Sequence, residues 1–199
     1  MLNVAVWGSG RGSNFRALLT SVQQGSIKGV TIGLVLSNNS SAGILDIARG
    51  NGIPAVHLSV KQFPSEDLFV SALTSLMHKH KINFIVLAGY MKRVPLRVIQ
   101  QFRERIINIH PALLPKFGGP GMYGIHVHEA VLAAGERESG ATVHMVDEEY
   151  DHGRILAQQT VPVLDGDTPG ILAARILEVE HRLLPATLHT LATSAKGYQ

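Results

Sequence analysis

Five apolar runs of strand length, separated by segments of helical periodicity, constrain this chain more than any other feature. They are 2–7 (LNVAVW), 30–37 (VTIGLVLS), 54–58 (PAVHL), 82–89 (INFIVLAG) and 105–110 (RIINIH). Between them lie FRALLTSVQQG ending at Gly25, a short segment 41–52, an amphipathic stretch 65–80 and a Pro-opened stretch 95–103. Glu66 and Asp67 in the first turn of 65–80, and Lys79 in its last, suit the dipole of a helix. Strands that alternate with helices pair in parallel. The expected fold class is α/β, a doubly wound, mostly parallel sheet.

The second half is less regular. Residues 111–125 form a long Gly/Pro-rich loop, and 126–135 read as a short helix. Residues 140–148 and 155–163 read as an antiparallel pair of strands around the loop DEEYDHGR. Residues 168–192 read as a long helix with Pro185 inside it, where a kink or break is expected. A length of 199 residues is most simply one domain, 1–199.

Composition narrows the function classes. The absence of cysteine removes disulfides, thiolate metal sites and thiol catalysis. A net charge of +3 with no block of five basic residues argues against nucleic acid and leaves room for a small anionic ligand. No run approaches the length of a membrane span, and MLNVAVWGSG lacks a basic leader, so a cytoplasmic location is expected.

Ligands of doubly wound sheets sit beyond the carboxyl ends of the strands. Three segments follow strands there: GSGRGSN (8–14), LAGYMKR (87–93) and NIHP (108–111). In the first, glycines permit a tight turn into a helix that begins near Ser13, and free N–H groups at a helix start bind phosphate. No Gly-Lys-Ser/Thr follows, and no acidic residue ends the second strand, so a phosphate monoester is favoured over a dinucleotide. In the third, strand alternation puts Asn108 and His110 on one face. Asp151 adds a carboxylate from another loop. An amide donor, a proton-bearing ring and a carboxylate are what stabilising an oxyanion and moving a proton require. Each has a plainer alternative: a turn amide, a core histidine, a turn aspartate before Gly153. Five histidines lie between 110 and 152. They lack the HExxH spacing of a metal site, so no metal is expected.

GSGRGSNFRALL, VLAGYMKRV, NIHPALLPKFGG, GATVHMVDEEYDHGRILAQ and EVEHRLLP resemble, in order and spacing, the folate-dependent formyltransferases. Within them the likeness is to the phosphoribosylglycinamide formyltransferases of purine synthesis. NIHP-x-LLP and D-x-x-x-D-x-G are the specific motifs. The resemblance implies a Rossmann-like fold and transfer of a formyl group from 10-formyltetrahydrofolate, a cosubstrate, to the amine of glycinamide ribonucleotide. It implies that Asn108, His110 and Asp151 are catalytic, supported by His144. The expected mechanism has Asn108 and a protonated His110 stabilising the oxyanion, with Asp151 raising the His110 pKa and assisting proton transfer. It further implies a ribonucleotide site at Gly12, Ser13, Asn14 and Glu180. The folate pocket would comprise Met91, Lys92, Val94, Val146, Asp147 and Asp151. Tyr90-Met91-Lys92 stands where the family often has Phe-Met-Arg, and Glu66 where some members have Arg. The alternatives are a 10-formyltetrahydrofolate deformylase and a nucleotide-binding module without catalysis. The expected start of the chain at its first strand argues against the deformylase. A monomer or a homodimer fits equally.

Overall fold

A computed structural model describes residues 1–194. Residues 195–199, the end of the expected 1–199 domain, lie outside the described residues. The strands are β1 (Leu2–Trp7), β2 (Val30–Ser37), β3 (Ala55–His57), β4 (Phe84–Leu87), β5 (Ile106–His110), β6 (Glu138–Met145) and β7 (Ile155–Pro162). The helices are α1 (Ser13–Gln23), α2 (Gly43–Gly50), α3 (Glu66–Lys79), α4 (Leu96–Gln101), α5 (Ile125–Ala133) and α6 (Pro169–Thr193).

All seven strands form one sheet in the order β3-β2-β1-β4-β5-β6-β7. β1 to β5 are parallel, as their uninterrupted apolar runs and intervening helices require. β6 runs antiparallel to both β5 and β7. The antiparallel pair read from the sequence is therefore not a separate unit. It extends the main sheet and sets Asn108 opposite His144.

Alternating strand residues feed two cores. Val4, Val6, Phe84, Val86, Ile107 and Ile109 pack with residues of α1, α2 and α6 on one face. Ala5, Trp7, Leu34, Ile85, Leu87 and Ile106 pack with α3 and α4 on the other. Burying a side chain as large as Phe84, with no exposed surface, contributes up to about 3 kcal/mol.

α6 runs 25 residues through Pro185 without a break. Pro185 and its neighbour Leu184 are buried, and the helix packs on α1, α5, β6 and β7. Those contacts hold the helix where proline removes one backbone donor. Its start is fixed by Arg175, which donates to Asp167 at 2.6 and 2.8 Å and to the Pro162 carbonyl at 2.9 Å. The hydrogen bond from Arg175 pulls the Asp167 carboxyl down to about 2. No described helix is long and apolar enough to cross a membrane.

Candidate active site

The order reversal at β1 and β4 opens a crevice at their carboxyl ends. A cavity of about 940 Å³ begins there and extends past β5 to α6. All three strand-following segments of the sequence reach it: Ser13 and Asn14, Gly89 to Val94, and Asn108 to Pro111.

At the α1 end, Gly12 is the N-cap residue, with φ of 80°. A Cβ there would lie 2.8 Å from Ile44 Cα, so the left-handed conformation and the close approach to α2 both demand glycine. No side chain caps α1 and its first turn carries no acid, so its leading N–H groups, at the end where Ser13 and Asn14 line the cavity, have no side-chain cap. The turn is stitched to its neighbours through Ser9. Its N–H donates to the Gly89 carbonyl at 2.9 Å, and its Oγ accepts from the Met91 N–H at 2.8 Å.

Glu180 reaches the same end from α6. Expected at the ribonucleotide site only from the resemblance, it is buried and its Oε2 accepts from Asn14 Nδ2 at 2.8 Å. Burial pushes its carboxyl up to about 7, and the single Asn14 hydrogen bond opposes this only in part. Asn14 Oδ1 is buried with no partner.

Asn108, His110, His144 and Asp151 meet at the cavity floor. His110 is 3% exposed and His144 2%, so both are held by packing. His110 Nε2 lies 2.7 Å from the Phe117 carbonyl. A carbonyl only accepts, so the proton is on Nε2 and Nδ1 is left facing Asp151 Oδ2 at 3.6 Å. His144 Nδ1 donates to the Met145 carbonyl at 2.8 Å. That turns its Nε2 toward Asn108 Nδ2 at 3.1 Å and Asp151 Oδ1 at 3.4 Å. Asn108 Nδ2 also lies 3.5 Å from Asp151 Oδ1.

Asp151 sits at φ 54°, in the left-handed region, and its Oδ2 accepts from the Gly119 N–H at 3.0 Å. Burial alone would raise its carboxyl. The contact from His144, the nearby His110 and the Gly119 N–H outweigh that and hold it below its ordinary 3.8. For His110 the net balance runs downward. Asp151 and the Phe117 carbonyl do push the ring up, but burial, aided by His144, pushes it down further. The ring therefore sits below 6.5 and is neutral at pH 7 before substrate arrives.

Residues 2–188 match the family model described as formyl transferase. The chain belongs to the formyl transferase family. It is 49% identical over 181 residues to the chloroplastic phosphoribosylglycinamide formyltransferase of Arabidopsis thaliana, covering 90% of this chain and 62% of that protein. The chain thus spans about six tenths of that curated relative's length. The crystal structure of phosphoribosylglycinamide formyltransferase from Brucella melitensis is 42% identical with a TM-score of 0.88, covering 98% of this chain and 97% of that one. That of glycinamide ribonucleotide transformylase 1 from Symbiobacterium toebii is 36% identical with a TM-score of 0.90, covering 96% and 88%.

In this formyl transferase family member, Met91, Lys92, Val94, Val146 and Asp147 line the part of the cavity nearest β4 and the 147–154 loop. Val94 is buried there, whereas Met91 is half exposed at the mouth. Arg93 crosses the mouth, donating to the Glu148 carbonyl at 3.2 Å with its guanidinium 5.8 Å from the Tyr150 ring centroid. Among the described residues, no three His, Cys, Asp or Glu side chains form a group able to hold a metal ion. Sequence reasoning missed the Phe117 carbonyl and the Gly119 N–H, since backbone groups carry no residue signature. The long Gly/Pro loop was the one available sign. It also passed over His128, a buried residue of α5 that lines the cavity.

Proposed function

We propose that this chain transfers the formyl group of 10-formyltetrahydrofolate to the amine of glycinamide ribonucleotide, the reaction of de novo purine synthesis, in a cytoplasmic setting. One observation carries the reading: Asn108, His110 and Asp151 converge on the floor of the cavity that also holds Asn14 and Glu180. An acceptor and a donor bound side by side there would gain much of the rate from proximity.

The ribonucleotide phosphate would take the leading N–H groups of α1 at Gly12, Ser13 and Asn14. Glu180, a poor neighbour for phosphate, would accept hydroxyl donors of the sugar. The pterin end of the folate would enter between Val94 and Val146, with Met91, Lys92 and Asp147 toward the mouth. The amine attacks the formyl carbon, a C–N bond forms and the carbonyl electrons move to oxygen. Asn108 Nδ2, held by His144 at 3.1 Å, would turn the hydrogen of its longer 3.5 Å contact away from Asp151 and donate it to that oxyanion. His110 Nδ1 takes the proton released by the amine, directly or through water. The imidazolium so formed lies beside ionised Asp151, which stabilises it. The oxyanion collapses, the bond to N10 breaks, and His110 returns the proton to N10. The products are the formylated ribonucleotide and tetrahydrofolate. Protonated His110 is thus an intermediate state of the cycle, reached when the amine gives up its proton.

The test is an absorbance assay for loss of the 10-formyl group, with and without glycinamide ribonucleotide. Consumption that requires the ribonucleotide and yields its formylated product supports the reading. Formate release at equal rate without acceptor would overturn it in favour of a deformylase.

A further inference from the structure

His128 is a buried polar side chain to which the mechanism above gives no task. It lies in the first half of α5, is 5% exposed and lines the cavity. Its Nδ1 is shielded and has no hydrogen-bond partner. His126, two residues earlier and exposed, instead pairs with Glu129 at 3.0 Å. Burial pulls the His128 ring below 6.5, and nearby His110 pulls it the same way. The ring is therefore neutral at pH 7 and carries one proton. A buried N–H without an acceptor is rarer than a buried acceptor without a donor. The proton accordingly belongs on Nε2, the ring nitrogen left to the cavity. Across that space α6 presents Gly170, Ala173 and Ala174, small side chains that leave room for a ligand beside the ring.

A buried N–H offered to a substrate cavity next to the proton-transferring histidine has a specific use. We propose that His128 is a binding residue for the acceptor ribonucleotide, donating its Nε2–H to the carbonyl oxygen of the glycinamide group. That carbonyl is one carbon away from the attacking amine, so capturing it fixes the direction of attack. A neutral donor suits a neutral carbonyl, whereas the phosphate has the N-terminus of α1. This inference rests on the reading that glycinamide ribonucleotide is the acceptor.

The test titrates glycinamide ribonucleotide calorimetrically into wild type, His128→Leu and His128→Gln, with ribose 5-phosphate as a second titrant. Losing one hydrogen bond should weaken ribonucleotide binding by about tenfold in the Leu variant. Gln, whose terminal amide reaches the position of Nε2, should recover part of it. Ribose 5-phosphate affinity and the KM for 10-formyltetrahydrofolate should stay unchanged. The melting temperature of the Leu variant should not fall, because no buried nitrogen is then left without a partner. A merely structural His128 would do the reverse, lowering the melting temperature and leaving affinity intact. Wild-type affinity in the Leu variant overturns the proposal. Equal weakening of both titrants overturns the carbonyl assignment. If the Leu protein fails to fold, His128→Met carries the same comparison. A wild type that binds no glycinamide ribonucleotide overturns the functional reading, and His128's role with it.

Discussion

Asp151 and Glu180 are two carboxylates lining one cavity, and their surroundings drive them in opposite directions. Asp151 accepts from the Gly119 N–H at 3.0 Å and has the ring nitrogens of His144 and His110 at 3.4 and 3.6 Å. Glu180 has a single amide, Asn14 Nδ2, at 2.8 Å. The first is held below 3.8, and the second is pushed by burial to about 7. Burial raises both, so the number and charge of the partners decide the outcome. With the Gly119 N–H and the Asn108 amide donating to it, Asp151 is charged at neutral pH. A carboxylate left short of donors waits for a ligand to supply them.

The largest effect that would break this contrast belongs to the ionised partner. Asp151→Asn should lower kcat by about 100- to 10,000-fold, the range of general acid–base assistance, with little change in ribonucleotide affinity. Turnover at the wild-type rate would take Asp151 out of the chemistry. Asn108→Ala removes the amide that Asp151 and His144 orient, and kcat should fall by about 100- to 1,000-fold. A loss confined to KM would move Asn108 from the oxyanion to ground-state binding.

Glu180→Gln tests the other carboxylate twice. Ribonucleotide affinity should fall by about tenfold as one charge-assisted acceptor is lost. Stability should change with the opposite sign. A carboxyl raised from 4.5 to about 7 contributes fully below 4.5, and that contribution is lost as pH rises through about 7. The loss is of order 3 kcal/mol. Gln does not titrate, so the variant should gain melting temperature over wild type progressively between pH 5 and 8. Parallel pH profiles for the two proteins would mean that Glu180 is not raised.

Ser13→Asp, which places a negative charge at the start of α1, should weaken ribonucleotide binding without altering the KM for folate. Unchanged affinity would put the phosphate elsewhere. The smallest signal is the His110 titration. Its ring resonances should titrate in the free protein with a midpoint below 6.5. A midpoint above 7 would show that Asp151 outweighs burial.

Much of the architecture was legible because it is local. The uninterrupted apolar runs at 30–37 and 82–89 are buried strands wherever the chain goes, and the Ser13 helix start follows from the glycines before it. Alternation alone put Asn108 and His110 on one face. That α6 would continue unbroken through Pro185 was not legible, because the contacts holding α6 come from α1, α5 and β6, which sequence distance hides. The burial of Glu180 was not legible from its own neighbourhood, because its partner Asn14 is 166 residues away.

The sequence by itself determined the parallel strands, the helices between them and the chemical types gathered at the strand ends, because periodicity and turn chemistry act over a few residues. Tertiary structure alone decided that β6 would set His144 against Asn108, that the Phe117 carbonyl would fix the His110 tautomer, and that the two carboxylates would part in pKa. Those outcomes depend on burial and on dipoles contributed by distant segments, which add up only when the chain has closed around the cavity.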